Sequence, residues 1–224
     1  MLNHYQQKGW VHLKSVLLPR DVIGLKYHGG MVVDEYLKSD PVWRGVGCAA
    51  IKNKHLWYFY TSPFMYDIVT ELLETKTPWL FNDQLVWKYP KDGMAFDPHT
   101  DNSTQRDVPI KDHTVNCLVI IDEVNDENGG LKVRNKDDGE WVSPKLKAGD
   151  IICINGNTEH ASGHNRSDKL RSTYACVYAN NNVNDNRFYQ TRFYDERKES
   201  ETNAKGWYLE EKRQKELQGN VTPE

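Results

Sequence analysis

Between about residue 79 and residue 180 the chain repeats one pattern: a short apolar run, then a cluster of Gly, Asn, Asp or Ser. Residues 80–89 read as one strand. Residues 115–124 form an apolar run rich in β-branched side chains. Glu140-Trp141-Val142 is short and extended. Ile151-Ile152-Cys153-Ile154 follows a Gly149-Asp150 turn, and residues 172–178 close the series. Runs this short suit strands better than helices, and β-branched residues favour a pleated surface. Turn formers at such spacing cut the segment into the strands of a β-sandwich or barrel. A mainly β protein is therefore expected.

The first 78 residues read differently. Val11-His12-Leu13-Lys14 suggests a short strand. Pro19-Arg20-Asp21 opens a helix expected to reach about Lys38, with Gly29-Gly30 weakening its middle. Ser62-Pro63 precedes a second helix that carries Met65, Ile68, Val69, Leu72 and Leu73 at helical spacing. Residues 205–217 look like a charged helix, and residues 180–186, mostly Asn, read as a loop. The expected organisation is a single domain over residues 1–224, with helical support in 1–78, a β-core over about 79–180 and a polar tail in 181–224.

Hydrophobic residues make up 38% of the chain and aromatics 11%, too much apolar material for a chain without a core. The balance of 29 basic and 32 acidic residues gives a net charge of −3. Nucleic-acid binding needs clustered Lys and Arg, so no nucleic-acid partner is expected. No apolar run approaches the roughly 18 residues that cross a bilayer, and no membrane partner is expected. The opening residues lack the apolar stretch of a signal peptide, so a cytoplasmic protein is expected. Cys48, Cys117, Cys153 and Cys176 are widely spaced and read as buried thiols rather than a disulfide or zinc framework.

Three places can carry chemistry: His99-Thr100-Asp101, His160 and Arg171. Two histidines and one carboxylate form a facial ligand set for Fe(II) that leaves coordination positions open. On an extended strand residues two apart share a face, so His99 and Asp101 are expected to point together. His160 lies just past the strand that starts at Ile151 and can reach the same face. With eight His in the chain, one such pair also arises by chance, and an ordinary surface ion pair in the turn-rich stretch Asp97-Pro98-His99 is the other reading. The segment 149–178 adds to the pattern. If its strands form a hairpin with a tip near Asn165-Arg166, His160 and Arg171 stand almost opposite each other. Ser162 and Thr173 then share their parity. A dicarboxylate can chelate the metal at one end and meet Arg171 and the Ser162 hydroxyl at the other, because a guanidinium fork matches a carboxylate. His164 is expected in the hairpin turn, in solvent, and the other histidines are expected to be structural.

Four segments, in order, resemble the phytanoyl-CoA dioxygenase family of Fe(II)- and 2-oxoglutarate-dependent oxygenases. The first is Tyr5-Gln6-Gln7-Lys8-Gly9-Trp10-Val11 with Val16-Leu17-Leu18. The second is Trp87-Lys88-Tyr89-Pro90 followed by Pro98-His99-Thr100-Asp101. The third is Asp122-Glu123-Val124 with Glu127-Asn128-Gly129-Gly130-Leu131. The fourth runs from Gly149-Asp150 through His160-Ala161-Ser162-Gly163-His164-Asn165-Arg166-Ser167 to Arg171, and includes the eleven-residue step from ligand His to cosubstrate Arg.

The resemblance implies a double-stranded β-helix, the jelly-roll or cupin-like core, with flanking α-helices. It implies His99, Asp101 and His160 as iron ligands, and Arg171 with Ser162 at the far carboxylate of 2-oxoglutarate. Lys88 matches a lysine that contacts 2-oxoglutarate in the related ectoine hydroxylases, and Gln84, on the same parity, matches a position facing the pocket. Fe(II), 2-oxoglutarate as cosubstrate and O2 are the implied cofactors. The implied activity is hydroxylation of a small organic molecule, with succinate and CO2 as co-products. An oxygenase of a protein or peptide side chain and a non-redox metal-binding β-barrel are the rival readings. Substrate identity and oligomeric state are not specified. The family's usual Pro-Gly-Ser-His stretch is replaced here by Asn135-Lys136-Asp137-Asp138, and Leu118 or a neighbour stands where an aromatic is common. The first departure concerns the substrate rim rather than the iron site.

Overall fold

The computed structural model describes residues 1–39, 45–76, 78–91, 94–104 and 114–180. The tail 181–224, with its expected helix at 205–217, lies outside the described residues. In chain order the elements are α1 (Leu2–Lys8), β1 (Trp10–Leu13), α2 (Pro19–Ser39), β2 (Gly45–Gly47), α3 (Ala49–Lys52), α4 (Lys54–Tyr60) and α5 (Pro63–Leu73). There follow β3 (Trp79–Lys88), β4 (Phe96–His99), α6 (Asp101–Thr104), β5 (Thr114–Ile120), β6 (Leu131–Arg134), β7 (Trp141–Val142), β8 (Ile151–Asn155), β9 (His160–Ser162) and β10 (Arg171–Ala179).

Six strands form one sheet in the order β1-β8-β5-β10-β3-β2, and four form a second in the order β4-β9-β6-β7. Their antiparallel pairing makes the double-stranded β-helix expected from the resemblance. The side-chain period of two divides the large sheet into two faces. Val115, Cys117 and Val119 of β5 join Cys153 of β8 and Tyr174, Cys176 and Tyr178 of β10 in a core that also contains Leu56, Tyr60, Met65 and Val69 from the helices. Ile120, Ile152 and Ile154 point the other way, into a smaller core with Leu131, Val133 and Leu146. The four cysteines are free and buried, as expected.

Two helices show how local chemistry sets the frame. Ser62 caps α5 by accepting from the Met65 N–H, and Pro63 takes the first turn, where its missing N–H costs nothing. Met65, Ile68, Val69 and Leu72 are its buried face. Helix α2 runs unbroken through Gly29-Gly30, where the sequence suggests weakness. A Cβ at Gly29 would overlap the Tyr174 hydroxyl, and that hydroxyl donates to the Leu25 carbonyl at 3.1 Å. The helix loses intrinsic propensity there and gains a close approach to β10. Strand β5 ends at Ile120, earlier than the apolar run suggests, because Asp122 turns to accept from the Ser172 N–H and hydroxyl. Among the described residues no helix is long and apolar enough to cross a membrane.

Candidate metal centre

His99 ends β4 and His160 begins β9, and the two are register partners on neighbouring strands. Their rings lie 4.4 Å apart between centroids. Asp101 is not on the strand. Thr100 ends the extended backbone and Asp101 opens α6, so the expectation that His99 and Asp101 share a strand face is corrected. The turn nevertheless brings Asp101 Oδ1 to 3.6 Å from His160 Nε2. One ligand atom from each of His99, Asp101 and His160 lies within 4.8 Å of the others.

Backbone carbonyls orient both rings. His99 Nδ1 lies 2.7 Å from the Asp97 carbonyl and His160 Nδ1 lies 3.1 Å from that of Thr158. A carbonyl only accepts, so each Nδ1 carries a proton, and Nε2 is the ring nitrogen left to meet a cation. Asn116 Nδ2 donates to Asp101 Oδ2 at 2.9 Å. Asn102, the next residue, ties α6 to the turn after β8. Its N–H donates to the Gly156 carbonyl at 3.0 Å, its Nδ2 donates to Asn157 Oδ1 at 2.8 Å, and it accepts from the Thr114 hydroxyl at 2.9 Å. Gly156 is required there, because a Cβ would overlap the Thr114 hydroxyl. These supports correspond to the outer groups that fix metal ligands. Sequence reading missed Asn102 and Asn116, since a lone Asn carries no pattern.

The expected hairpin between His160 and Arg171 does not form. Strand β9 pairs with β4 and β6, whereas β10 pairs with β3 and β5. The stretch between them crosses from one sheet to the other, organised by Asn165, whose Nδ2 donates to the Lys88 and Lys169 carbonyls. His160 and Arg171 therefore face one cavity from opposite sheets. That cavity encloses about 100 Å³ and is also lined by Gln84, Phe96, Ile120, Leu131, Ser162 and Thr173. His164 is exposed, as expected.

Arg171 and Lys88 are register partners on β10 and β3. Only 4% of Arg171 and 1% of Lys88 is exposed. Arg171 donates to the Gly129 carbonyl at 2.8 Å and to the Thr173 hydroxyl at 3.0 Å. Lys88 Nζ crosses between the sheets to Ser162 Oγ at 2.8 Å and the Gly163 carbonyl at 2.5 Å, and lies 5.3 Å from the Phe96 ring centre. Burial first, then the neighbouring guanidinium, push Lys88 down to about 7. Burial lowers Arg171 to about 10, against the partial support of Asp122. Among the described residues neither has a carboxylate within 4.0 Å. Like charges directly opposite on a sheet repel, and buried cations without a counter-charge are costly. A dianionic ligand relieves both. The solvated lysine that the sequence alone also allows is excluded by this burial.

The chain was compared with known proteins. The family model for phytanoyl-CoA dioxygenase (PhyH) matches residues 131–173, the stretch that carries His160, Ser162 and Arg171. No curated protein matches the chain in sequence. Among solved structures, the α-ketoglutarate-dependent carbocyclase SnoK from nogalamycin biosynthesis superposes with a TM-score of 0.69 at 18% identity, covering 80% of this chain and 82% of that one. EctD from S. alaskensis, with 2-oxoglutarate and 5-hydroxyectoine, gives 0.69 at 17% identity, covering 81% and 76%. The non-heme monooxygenase ThoJ, as its Ni complex, gives 0.65 at 16% identity, covering 80% and 76%. Residues 131–173 are thus similar to the phytanoyl-CoA dioxygenase family, and the fold is similar to that of SnoK, EctD and ThoJ.

Proposed function

We propose that this protein is an Fe(II)- and 2-oxoglutarate-dependent dioxygenase that hydroxylates a small organic molecule. One observation carries the reading. The His99, Asp101 and His160 ligand atoms, within 4.8 Å of one another, open on the same cavity as Arg171, a buried cation without a carboxylate partner among the described residues. Two imidazoles and a carboxylate suit a divalent transition metal, and the paired cations suit a dicarboxylate. EctD, of the same fold, was crystallised with 2-oxoglutarate and with Fe.

In this reading His99, Asp101 and His160 hold the metal. Arg171, with N–H groups remaining beyond those given to Gly129 and Thr173, holds the far carboxylate of the cosubstrate. Ser162 and Lys88 supply further donors, and Gln84 lines the space beside them. Ile120, Leu131 and Phe96 keep water from the reacting end. When bound, Fe(II) and 2-oxoglutarate supply the oxidation itself, in which O2 and cosubstrate yield succinate and CO2 while a substrate C–H becomes C–OH. Asp101 retains the carboxylate that halogenating relatives lack, which favours hydroxylation. SnoK is a carbocyclase and SnoN an epimerase, so product identification belongs in the test. The test begins with an anaerobic visible spectrum of the apoprotein titrated with Fe(II) and then 2-oxoglutarate. A weak charge-transfer band that appears with 2-oxoglutarate and is absent in His160→Ala supports the reading. Confirmed iron binding without the band overturns it.

A further inference from the structure

Helix α2 is apolar on two opposite sides. Leu25, Val32 and Val33 are buried on one of them. At about 100° per residue, the far side carries Ile23, Tyr27 and Met31, four residues apart in one row. They are 68%, 65% and 51% exposed. A helix with a single packing face would be polar there. Gly24 lies beside the row. A Cβ at Gly29 would overlap Tyr174, but one at Gly24 would meet nothing within 4 Å among the described residues. A mid-helix glycine weakens the helix, and no close approach within the described chain uses this one.

We propose that the row is an interface between two copies of this chain, their α2 helices packed antiparallel about a two-fold axis at Tyr27. The inference is independent of the metal reading. Charge selects the occupant. Arg20 precedes Tyr27 by seven residues and Asp34 follows it by seven; both are exposed and lie on the side of the row. In the antiparallel pair Arg20 of each copy meets Asp34 of the other, Ile23 meets Met31, and the two Tyr27 rings meet at the centre. Parallel helices would set Arg20 against Arg20 and Asp34 against Asp34. Arg20 Nε lies 3.8 Å from Asp21 Oδ1, which leaves the other N–H groups of the guanidinium for Asp34. A shallow crossing of about 20° keeps the helices side by side over the roughly 21 Å from Arg20 to Asp34. Gly24 lets the two backbones approach. The patch is self-complementary, as a two-fold contact must be, with an aromatic centre and charged ends.

The test is sedimentation velocity on the whole protein from about 1 to about 200 µM. One helix pair is a small interface, so a dimer with a dissociation constant of about 10 µM is expected. Tyr27→Glu is expected to stay monomeric over the same range and to keep the far-UV circular dichroism of the parent. Arg20→Asp and Asp34→Arg each set like charges together and are each expected to weaken the dimer about tenfold. The double variant, Arg20→Asp with Asp34→Arg, restores both pairs at the net charge of the parent. Its affinity is expected to return to within about threefold of the parent's. Loss followed by rescue requires the antiparallel register and separates a lost contact from a lost fold. A parent still monomeric at about 200 µM overturns the proposal, whatever else covers the row. A dimer indifferent to Tyr27→Glu overturns it, and so does a double variant no tighter than the single ones.

Discussion

Lys88 offers a sharp test of whether the buried cations await a dicarboxylate. Burial and Arg171 hold its ammonium down to about 7, while Arg171 at about 10 stays charged through the neutral range. A bound dianion supplies the missing counter-charge and raises Lys88 again. Binding must then take up a proton wherever free Lys88 is neutral. At about pH 8 a group titrating at about 7 is roughly 0.9 deprotonated, so about 0.9 proton enters with each 2-oxoglutarate. The dissociation constant should rise about eightfold from about pH 7.5 to about pH 8.5, provided the bound lysine titrates above that window. Calorimetry of Zn(II)-loaded protein in buffers of different ionisation enthalpy counts the proton directly. Lys88→Met keeps the chain length and should lose both the uptake and its share of the pH dependence. The same shift acts on stability. The folded-state pKa lies below the unfolded value, so between about pH 7 and about pH 10.5 the unfolded chain binds more protons. Stability of the ligand-free protein should therefore rise across that window, and Lys88→Met should remove the rise. Buffer-independent heats with a dissociation constant flat over the same range would refute the reasoning.

Arg171→Ala should weaken 2-oxoglutarate binding by about 1.5–3 kcal/mol, the usual range for hydrogen bonds to charged groups, and titration of the visible band reads it. Asn102→Ala should lower Fe(II) affinity about tenfold or more, since Asn102 anchors the helix that begins at Asp101; competition with a chromophoric chelator measures it. Asp150→Asn tests the frame. Burial opposes ionisation of Asp150, but the Lys147 and Ser15 N–H groups and His12 outweigh it and lower its pKa. A depressed carboxylate gives stability that is present above its unfolded pKa and lost as pH falls through the folded one. Denaturant unfolding should show Asp150→Asn about 1.5–3 kcal/mol less stable near neutrality, with a shallower decline in acid.

The fold was legible where the physics is periodic. Strand β3, the run in β5, β8 and β10 are long enough to show apolar, β-branched character, and α5 announces itself through Ser62-Pro63 and its apolar face. Strand β2, three residues from Gly45 to Gly47, carries no such signal. The continuity of α2 was also hidden. Gly29 looks like a breaker locally and is needed only because Tyr174, far away in sequence, reaches the helix backbone. Propensity is local, and that contact is not.

The site was legible as residue types and spacing, but not as topology. A hairpin and a sheet crossing both bring His160 and Arg171 to one cavity, and sequence parity cannot tell them apart. The difference has a chemical consequence. In a hairpin, Arg171 would face His160 on an adjacent strand and share its hydrogen-bonding groups. In the crossing, Arg171 has Lys88 as its register partner, and Lys88 in turn reaches Ser162 on the opposite sheet. A cation pair on the large sheet then faces His99 and His160 on the small one, with cavity between. That separation lets one ligand, charged at one end and chelating at the other, reach from one sheet to the other. Removal of either cation should therefore loosen the cosubstrate without disturbing the geometry of His99, Asp101 and His160.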